Sequence, residues 1–438
     1  MITERFAENN RLKRYAYDLI RKVFYKKVTH FFVALPEMSL FYSSNPKRMK
    51  FFLFVTVFVF ALFFGSCDMS SRNAAMDPSQ MDTIVCAGED DTPLDSIIAK
   101  IEYVKLRSRE DHPVGAIDNL MITPDHIIVA DYNLSKSIFV FDRQGQIQTV
   151  ISRLGRGPQE YLSISDVILT PDQKRIAVLD NHGKKILYYD LAGNFLFHKV
   201  TPFYPLRIKY LDEENMLLVT YGLEEADPGL ASYPHNRDLL YCVDTMMRIR
   251  KSFMPNQFSK ELSSYCSPNV RQFNNNRVYA THIYSDTIYQ VTPEKMIPRY
   301  RIDLSPVDGI ANFWEGLTPE KHKARMDKSF FTGNFFENDR FAIFQSFGGV
   351  PLVLFSKETK RCYYLGKRSS TALGLYVGSV EFAYKDRFIT VMPAYQLLHI
   401  TDSFADQRYQ KLAAEIAAGL TEDDDPVLLF YTLREPNH

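Results

Sequence analysis

The chain contains 438 residues, and its 52 basic and 52 acidic side chains give a formal net charge of zero at pH 7. This balance argues against a nucleic-acid-binding protein, because such domains usually carry a clear excess of positive charge. Apolar residues make up 46% of the chain and aromatic residues 14%, which excludes a largely disordered polypeptide and predicts a sizeable hydrophobic core.

The first informative segment is the apolar run at residues 51–65, which follows three basic residues and is followed by Cys67. At about fifteen residues it is shorter than the roughly twenty that a membrane-spanning helix needs, and it fits the apolar region of a signal peptide. The segment FGSC resembles the lipobox of bacterial lipoproteins. The resemblance implies that residues 49–66 are a lipoprotein signal peptide and that Cys67 is lipidated as the mature N-terminus. The alternative is an uncleaved signal anchor with a buried cysteine.

Residues 1–48 precede this leader. They include RLKRYAYDLIRKVFYKK, whose basic and aromatic residues are compatible with an amphipathic helix at a membrane surface. We favour the interpretation that translation starts at Met49 and that residues 1–48 are an overlong extension of the reading frame. After the leader, residues 67–94 are predicted to be a flexible tether, because the stretch DMSSRNAAMDPSQMD has no apolar periodicity.

The remaining cysteines are Cys86, Cys242, Cys266 and Cys362, which are widely separated in the sequence. No CxxC pair is present, and no pair of histidines lies beside any of them, so a zinc site is not expected. Exported proteins often form disulfides, but the apolar surroundings of Cys242 and Cys362 favour buried thiols. We therefore predict no disulfide framework.

Two consecutive segments resemble each other, HIIVADYNLSKSIFVFDRQGQIQTVI and RIAVLDNHGKKILYYDLAGNFLFHKV. Each has an apolar strand ending in Asp, a polar turn, a second strand, a turn with Asp and Gly, and a third strand. Three positions align: Asp131 with Asp180, Asp142 with Asp190, and Gly145 with Gly193. The pattern predicts a recurring unit of antiparallel strands.

Weaker copies follow, and the first recognisable strands of the six units begin near Ile127, Ile176, Met216, Val278, Phe341 and Phe388. The units recur roughly every 40 to 65 residues, a period typical of β-propeller blades. Helical segments between the strands are missing, which argues against a parallel α/β fold. The sequence therefore predicts an all-β, six-bladed β-propeller over residues 95–438.

The segment GRGPQEYLSISDV, which follows FVFDRQGQIQTVISRL, indicates a family. It resembles the six-bladed β-propeller lipoproteins of Bacteroidetes, which are related to NHL-type and TolB-like propellers. Four residues match that family's pattern, Gly157, Pro158, Glu160 and Tyr161, while Gln159 stands where glycine is common. The resemblance implies a location in the cell envelope, anchored by lipid to a membrane, on the periplasmic or surface face of the outer membrane.

A propeller leaves exposed strand edges unless its last blade is tied to its first. The alternating segment at residues 96–106 and the apolar segment at residues 426–434 are both predicted to join the sheet that contains DRFITVM. Between them, FADQRYQKLAAEIAAGL has one apolar helical face and predicts a short C-terminal helix before the closing strand. A second helix is predicted from Thr318, an N-cap followed by Pro319, close to Trp314.

No nucleophile elbow, phosphate-binding loop or HExxH motif is present. The candidate ligand-binding residues are Arg156 and Glu160 at the mouth of the propeller, and Tyr221, Tyr233 and His235 in a long loop that offers rings for a sugar or peptide. For Glu160 the alternative is structural, because its carboxylate can accept hydrogen bonds from nearby backbone amides. For the long loop the alternative is a segment with no binding role.

Asp131, Asp180 and Asn181 are candidate metal ligands. Some six-bladed hydrolases of related shape hold calcium in the central funnel with such side chains, so calcium is the one cofactor that the resemblance suggests. The alternative is that Asp131 and Asp180 cap turns.

Two functions follow. The first is a non-catalytic binding or scaffold lipoprotein for a glycan, a peptide or an envelope protein. The second is a metal-dependent, lactonase-like hydrolase or a lyase that acts on extracellular carbohydrate. The absence of a catalytic motif favours the first, since fold alone does not decide function.

Overall fold

The computed structural model describes residues 81–86, 92–220, 227–256, 268–273, 277–282, 285–307, 309–310, 318, 321, 324–325, 328–347, 352–365, 380–400 and 407–436. All of them lie in the unit Met76–His438. The leader with Cys67, together with Tyr221, Trp314 and most of the helix predicted from Thr318, lies outside the described residues. Within them, no helix has both the length and the apolar character needed to cross a bilayer.

The described strands form six sheets of four or five strands, one for each blade of a propeller. In the described part of the chain, three elements precede the first blade: β1 (Asp82–Val85), α1 (Leu94–Ile97) and β2 (Ile98–Lys105). Blade 1 contains β3 (Asn119–Ile122), β4 (His126–Asp131), β5 (Ser137–Asp142) and β6 (Ile147–Ile151). Blade 2 contains β7 (Asp166–Leu169), β8 (Arg175–Asp180), β9 (Lys185–Asp190) and β10 (Phe195–Val200).

The next three blades follow the same order. Blade 3 contains β11 (Arg207–Tyr210), β12 (Asn215–Val219), β13 (Asp238–Asp244) and β14 (Ile249–Pro255). Blade 4 contains β15 (Pro268–Gln272), β16 (Val278–His282), β17 (Thr287–Val291) and β18 (Met296–Asp303). Blade 5 contains β19 (Phe330–Glu337), β20 (Phe341–Phe347), β21 (Leu352–Ser356) and β22 (Cys362–Leu365).

Blade 6 combines the two ends of the domain, as the sequence predicted. It contains β23 (Phe382–Tyr384), β24 (Arg387–Met392), β25 (Val427–Leu433) and, on its outer edge, β2. The N-terminal β2 runs antiparallel to the C-terminal β25, with Glu102 opposite Phe430. The propeller is therefore closed by backbone hydrogen bonds between the first and last parts of the fold.

Two helices, α2 (Ala394–Ile400) and α3 (Gln407–Ala417), lie between β24 and β25 in the chain. The second is the predicted C-terminal helix, and it buries Tyr409, Ala413 and Ile416 against blades 5 and 6. Neither α2 nor the parallel pairing of β1 with β18 on the edge of blade 4 was predicted from the sequence. Two short 3-10 helices, Pro228–Leu230 and Ser305–Val307, lie in connections.

The core is divided among the seams between blades. The second and third strands of a blade are rich in Ile, Val, Leu, Phe and Tyr, and in β4 five of six residues are buried. Such continuous apolar runs fit strands that are covered on both faces. Each of six apolar clusters fills one seam, and the cluster between blades 6 and 1 includes Phe139 and Leu428. Of the described cysteines, Cys86, Cys242 and Cys362 are free thiols.

One part of the strand assignment was wrong. The strands that begin near Ile127 and Ile176, and their counterparts in the later units, are the second strands of their blades. An inner strand precedes each of them, such as β3 with the sequence NLMI. Five of these inner strands escaped the pattern because they have only three to five residues, whereas β19 has eight residues and is mostly buried. They are the strands that line the centre of the propeller.

Candidate functional site in the central channel

The inner strands of all six blades contribute residues to a central cavity of about 400 Å³. Ligand pockets for small molecules commonly have volumes of about 300–1,000 Å³. Among the described lining residues, three are basic, Arg207, Lys209 and Arg271, and three are acidic, Asp118, Asp166 and Glu381. The channel therefore offers charges of both signs inside a rigid scaffold.

Asp166 and Lys209 form a buried ion pair between blades 2 and 3. Lys209 Nζ lies 2.6 Å from Asp166 Oδ2, and the two side chains are 10% and 3% exposed. The hydroxyl of Tyr132 donates to Asp166 Oδ1 at 3.1 Å, and the amide of Ile208 donates to Oδ2 at 2.9 Å. Burial, and then the nearby Asp166 carboxylate, raise the pKa of Tyr132 well above its ordinary value. The pair is satisfied within the protein and fixes the position of two inner strands.

Other side chains link neighbouring inner strands around the channel. Three amide groups donate to backbone carbonyls of a neighbouring blade: Asn119 to Val167 at 2.7 Å, Gln272 to Tyr210 at 3.2 Å, and Asn269 to Gly333 at 2.8 Å. These bonds hold the wall of the channel in place before any ligand binds. A preformed wall reduces the ordering cost of binding.

Arg271 lies on β15 and lines the cavity next to blade 5. One of its Nη atoms donates to Asn334 Oδ1 at 3.1 Å, and its guanidinium carbon lies 4.5 Å from the centre of the Phe336 ring. Its Nε atom is buried and has no hydrogen-bond acceptor among the described residues. Burial lowers the pKa of Arg271 to about 10. The guanidinium is thus oriented by Asn334 and Phe336 but is only partly satisfied by the protein.

Glu381 lies just before β23, on the blade 6 side of the channel, where its side chain remains accessible. Desolvation raises the pKa of its carboxyl group. Within the described part of the chain, Glu381 makes no ion pair with any of the three basic lining residues.

The predicted residues Arg156 and Glu160 lie in the connection between blades 1 and 2. Glu160 Oε2 accepts a hydrogen bond from the amide of Gly157 at 2.8 Å, and the carboxylate folds so closely over Gly155 that a Cβ atom there would overlap it. Tyr161 is fully buried, and its hydroxyl donates to the backbone carbonyl of Lys136. These contacts shape the connection, while Arg156 is exposed.

Of the predicted loop residues, Tyr233 and His235 are described. Their rings are 6.1 Å apart, and the Tyr233 ring also packs edge-on against Tyr241 at 5.8 Å. Tyr233 therefore contacts the core between blades 2 and 3, and His235 is exposed beside it. Neither residue lines the central cavity.

Asp131 and Asp180 end the second strands of blades 1 and 2, and none of the three candidate metal ligands lines the cavity. Asp131 accepts hydrogen bonds from the amides of Leu134 at 2.8 Å and Ala116 at 2.9 Å. Asp180 accepts from the amide of Gly183 at 2.9 Å, and Asn181 follows it in the same turn. Among the described residues, no three His, Cys, Asp or Glu side chains converge as metal ligands would.

The residues that line the channel were not predicted from the sequence, because the inner strands that carry them were not recognised. A signal was present, however, in the spacing of the basic residues. Arg207 and Lys209 are two residues apart, as are Asn269 and Arg271. In a strand this spacing places both side chains of a pair on the same face. Four polar side chains on two short strands would have indicated a polar lining.

A family model described as a domain of unknown function, DUF4934, matches residues 82–432. Among solved structures, the chain is similar to a Bacteroides fragilis protein whose name describes it as exported, with 20% identity and a TM-score of 0.65 over 81% of this chain and 100% of that one. A DUF4221 member from Bacteroides vulgatus has 10% identity and a TM-score of 0.47, covering 77% and 97% of the two chains. Virginiamycin B lyase from Staphylococcus aureus has 10% identity and a TM-score of 0.37, covering 66% and 81%. No curated protein matches the chain.

Proposed function

This chain belongs to the DUF4934 family, and we propose that it is an exported, lipid-anchored binding protein of the cell envelope. Its six-bladed propeller presents the central channel to a glycan, a peptide or a segment of an envelope protein, and it binds that ligand without chemical conversion. The lipid on Cys67 and the tether after it hold the propeller at the membrane.

The observation that carries the proposal is the channel itself. Its volume of about 400 Å³ suits one or two sugar or amino-acid units, and its wall is fixed by hydrogen bonds between blades. A few precisely placed polar groups are a usual feature of a small-molecule site, and in this channel Asn334 and Phe336 orient the guanidinium group of Arg271. The ion pair of Asp166 and Lys209 supports the wall.

The location in the envelope is supported by two independent features. The segment FGSC at the end of the apolar run provides a lipidation signal at Cys67. The similar fold of a Bacteroides fragilis protein that is described as exported agrees with secretion.

The ligand is tested by thermal unfolding of the detergent-solubilised protein against a panel of oligosaccharides, peptides and divalent cations. A ligand at a hundred times its dissociation constant stabilises the folded state by about 2.7 kcal/mol, which gives a measurable rise in Tm. We expect a rise with a glycan or a peptide. A rise with calcium alone that EDTA reverses would instead support the hydrolase or lyase alternative. No rise with any compound would contradict a ligand site in the channel.

The membrane anchor is tested by Cys67→Ala. We expect the variant protein to fold with the same Tm and to appear in the soluble fraction, whereas the wild type sediments with membranes. Metabolic labelling with a fatty acid provides the control, because the label should be absent from the variant. A variant that remained fully membrane-bound would contradict lipid anchoring at Cys67.

A further inference from the structure

The three basic side chains of the channel differ in how their charge is compensated. Lys209 is paired with Asp166 at 2.6 Å. Arg207 is exposed, where water solvates it, and one Nη atom donates to the backbone carbonyl of Ser165 at 2.6 Å. Arg271 is partly buried, its Nε is fully buried, and among the described residues no carboxylate pairs with it. Arg271 is therefore the lining cation whose environment is incomplete.

We propose that Arg271 binds the carboxylate of the channel ligand, and that the ligand is a small monocarboxylate, either a uronic-acid sugar or a peptide with a free C-terminus. This inference rests on the proposed function, because it names the ligand class of the same channel. The shared chemistry is one carboxylate attached to a body that is small enough for a cavity of about 400 Å³.

The surroundings of Arg271 suit a planar anion. The guanidinium group presents its donors as a rigid fork that matches a carboxylate. Phe336 supports the guanidinium at 4.5 Å through a cation–π contact, and Asn334 fixes one Nη atom at 3.1 Å. These two contacts set the orientation of the fork, whose enclosed Nε donor has no acceptor among the described residues.

The energy cost of this arrangement indicates a role other than stability. A buried ion without a partner is strongly unfavourable, and such groups are normally paired. The lowered pKa of Arg271 reflects the same desolvation. A bound carboxylate would supply the missing counter-charge and the missing acceptor in one group.

The uncompensated guanidinium of Arg271 favours a single negative charge on the ligand. The described lining also contains Asp118 and Glu381, so its formal charge is zero before binding and it disfavours a second negative charge. Of the cations, one is already paired and one is exposed, which leaves one guanidinium to compensate. A dianion such as a phosphate monoester would bring more negative charge than this site offsets.

The test compares two pairs of probes that differ only in the carboxylate. D-Glucuronate is compared with D-glucose, and acetyl-alanyl-alanine is compared with its C-terminal amide, all at constant ionic strength and neutral pH. Tm of the detergent-solubilised protein and the apparent Kd from calorimetry are measured for each probe. We expect one acid to bind and its neutral partner to have no effect, and which acid binds identifies the source of the carboxylate.

Arg271→Met tests the residue itself. Methionine keeps much of the side-chain length and removes the charge, so without ligand the variant should unfold at the same or a higher temperature than the wild type. Its Kd for the acid should be weaker by at least about tenfold, as expected for the loss of charge-assisted hydrogen bonds. Arg271→Lys keeps the charge without the fork and should bind with intermediate affinity. Arg340→Met is the matched control, because Arg340 also stacks on a phenylalanine, Phe341, but does not line the channel.

The inference is overturned if neither acid binds, if each acid binds no better than its neutral partner, or if Arg271→Met binds the acid as tightly as the wild type. A neutral oligosaccharide or peptide that raises Tm equally in the wild type and in Arg271→Met would agree with the proposed function. It would refute the inference that the ligand is recognised through a carboxylate. If Arg271→Met fails to fold, the affinity of Arg271→Lys for the acid is the deciding measurement. An affinity equal to that of the wild type would refute recognition of the carboxylate by the guanidinium fork.

Discussion

The carboxylates buried in blades 1 and 2 and the carboxylate buried between blades 4 and 5 stabilise the propeller in different ways. Asp131 and Asp180 are fully buried, and they accept hydrogen bonds mainly from backbone amides. These amides belong to the turn that follows each aspartate and to the connection that leads into the same blade. Glu337 is 2% exposed and accepts instead from side chains that are distant in the sequence.

Glu337 ends β19 of blade 5 and joins it to blade 4. Its oxygens accept from the hydroxyls of Tyr279 at 3.1 Å and Tyr300 at 2.8 Å, and from Lys357 Nζ at 3.0 Å. Burial, and then Glu337 itself, raise the pKa of both tyrosines. A buried carboxylate can therefore stabilise either a local turn or a seam between blades. Removing a carboxylate of the second kind should reduce the free energy of unfolding more.

The largest expected effect is therefore that of Glu337→Ala. The substitution leaves Lys357, whose side chain is 15% exposed, without its carboxylate, and leaves two buried hydroxyls without their acceptor. Breaking such a buried pair typically costs about 3–5 kcal/mol. Urea unfolding at neutral pH measures the change in the free energy of unfolding.

The matched control is the double variant Glu337→Ala with Lys357→Met. Its loss of stability should be smaller than the sum of the losses in the two single variants, because the double variant contains no ammonium group without its carboxylate partner. Full additivity of the two substitutions would show that Lys357 is solvated and that Glu337 acts through its other partners, Tyr279, Tyr300 and Arg277.

Asp131→Asn should have an intermediate effect that depends on pH. Burial raises the pKa of Asp131, but the backbone amides of Ser135, Leu134 and Ala116 outweigh it, so the folded-state pKa lies below the ordinary value. The stabilisation is therefore complete above the unfolded-state pKa of about 3.9 and is lost as pH falls through the lower folded-state pKa. At neutral pH we expect a loss of about 2 kcal/mol, in the range for hydrogen bonds to a charged group.

The measurement compares the urea unfolding of the wild type and Asp131→Asn between pH 7 and strongly acidic pH. The difference in the free energy of unfolding should shrink as the pH falls. A difference that stays constant over this range would contradict a charged Asp131 as the source of the stabilisation.

The contrast between local and distant partners also explains what was predictable from the sequence. Asp131 and Asp180 act on amides within 18 residues, so the whole arrangement recurs in the first two units and their resemblance could be recognised. Ring closure by β2 and β25 was predictable because both strands have a strong apolar pattern. Glu337 has partners 58, 37 and 20 residues away, and no local pattern connects them.

The candidate site was predicted less well than the fold, for the same reason. Arg271 is defined by Asn334 and Phe336, which lie more than sixty residues later in the next blade. Its strand is short and is flanked by sequence that shows little resemblance to the first two units. The residues that were proposed from the sequence lie in conspicuous loops and turns, whereas the channel is built from the least conspicuous strands.

The smallest expected effect is the difference in stability between alanine substitutions at two glycines that occupy equivalent positions in the first two units. Gly145 and Gly193 both have a φ of 83°, which disfavours residues with a Cβ, so Gly193→Ala should cost about 1 kcal/mol. A Cβ at Gly193 would lie 2.9 Å from the γ-methyl group of Thr149, so one side chain would have to shift, whereas at Gly145 it would overlap the backbone carbonyl of Lys105 on the ring-closing strand β2. Because the Gly145 carbonyl also accepts from the amide of Arg107 at 2.9 Å, this turn cannot move away freely. Gly145→Ala should therefore cost at least about 1 kcal/mol more than Gly193→Ala in urea unfolding, since only the first substitution adds a backbone clash to the same φ strain. Equal losses of stability in the two variants would mean that strand β2 shifts to accommodate the Cβ atom at little cost. The seam between blades 6 and 1 would then be less rigid than its hydrogen bonds indicate.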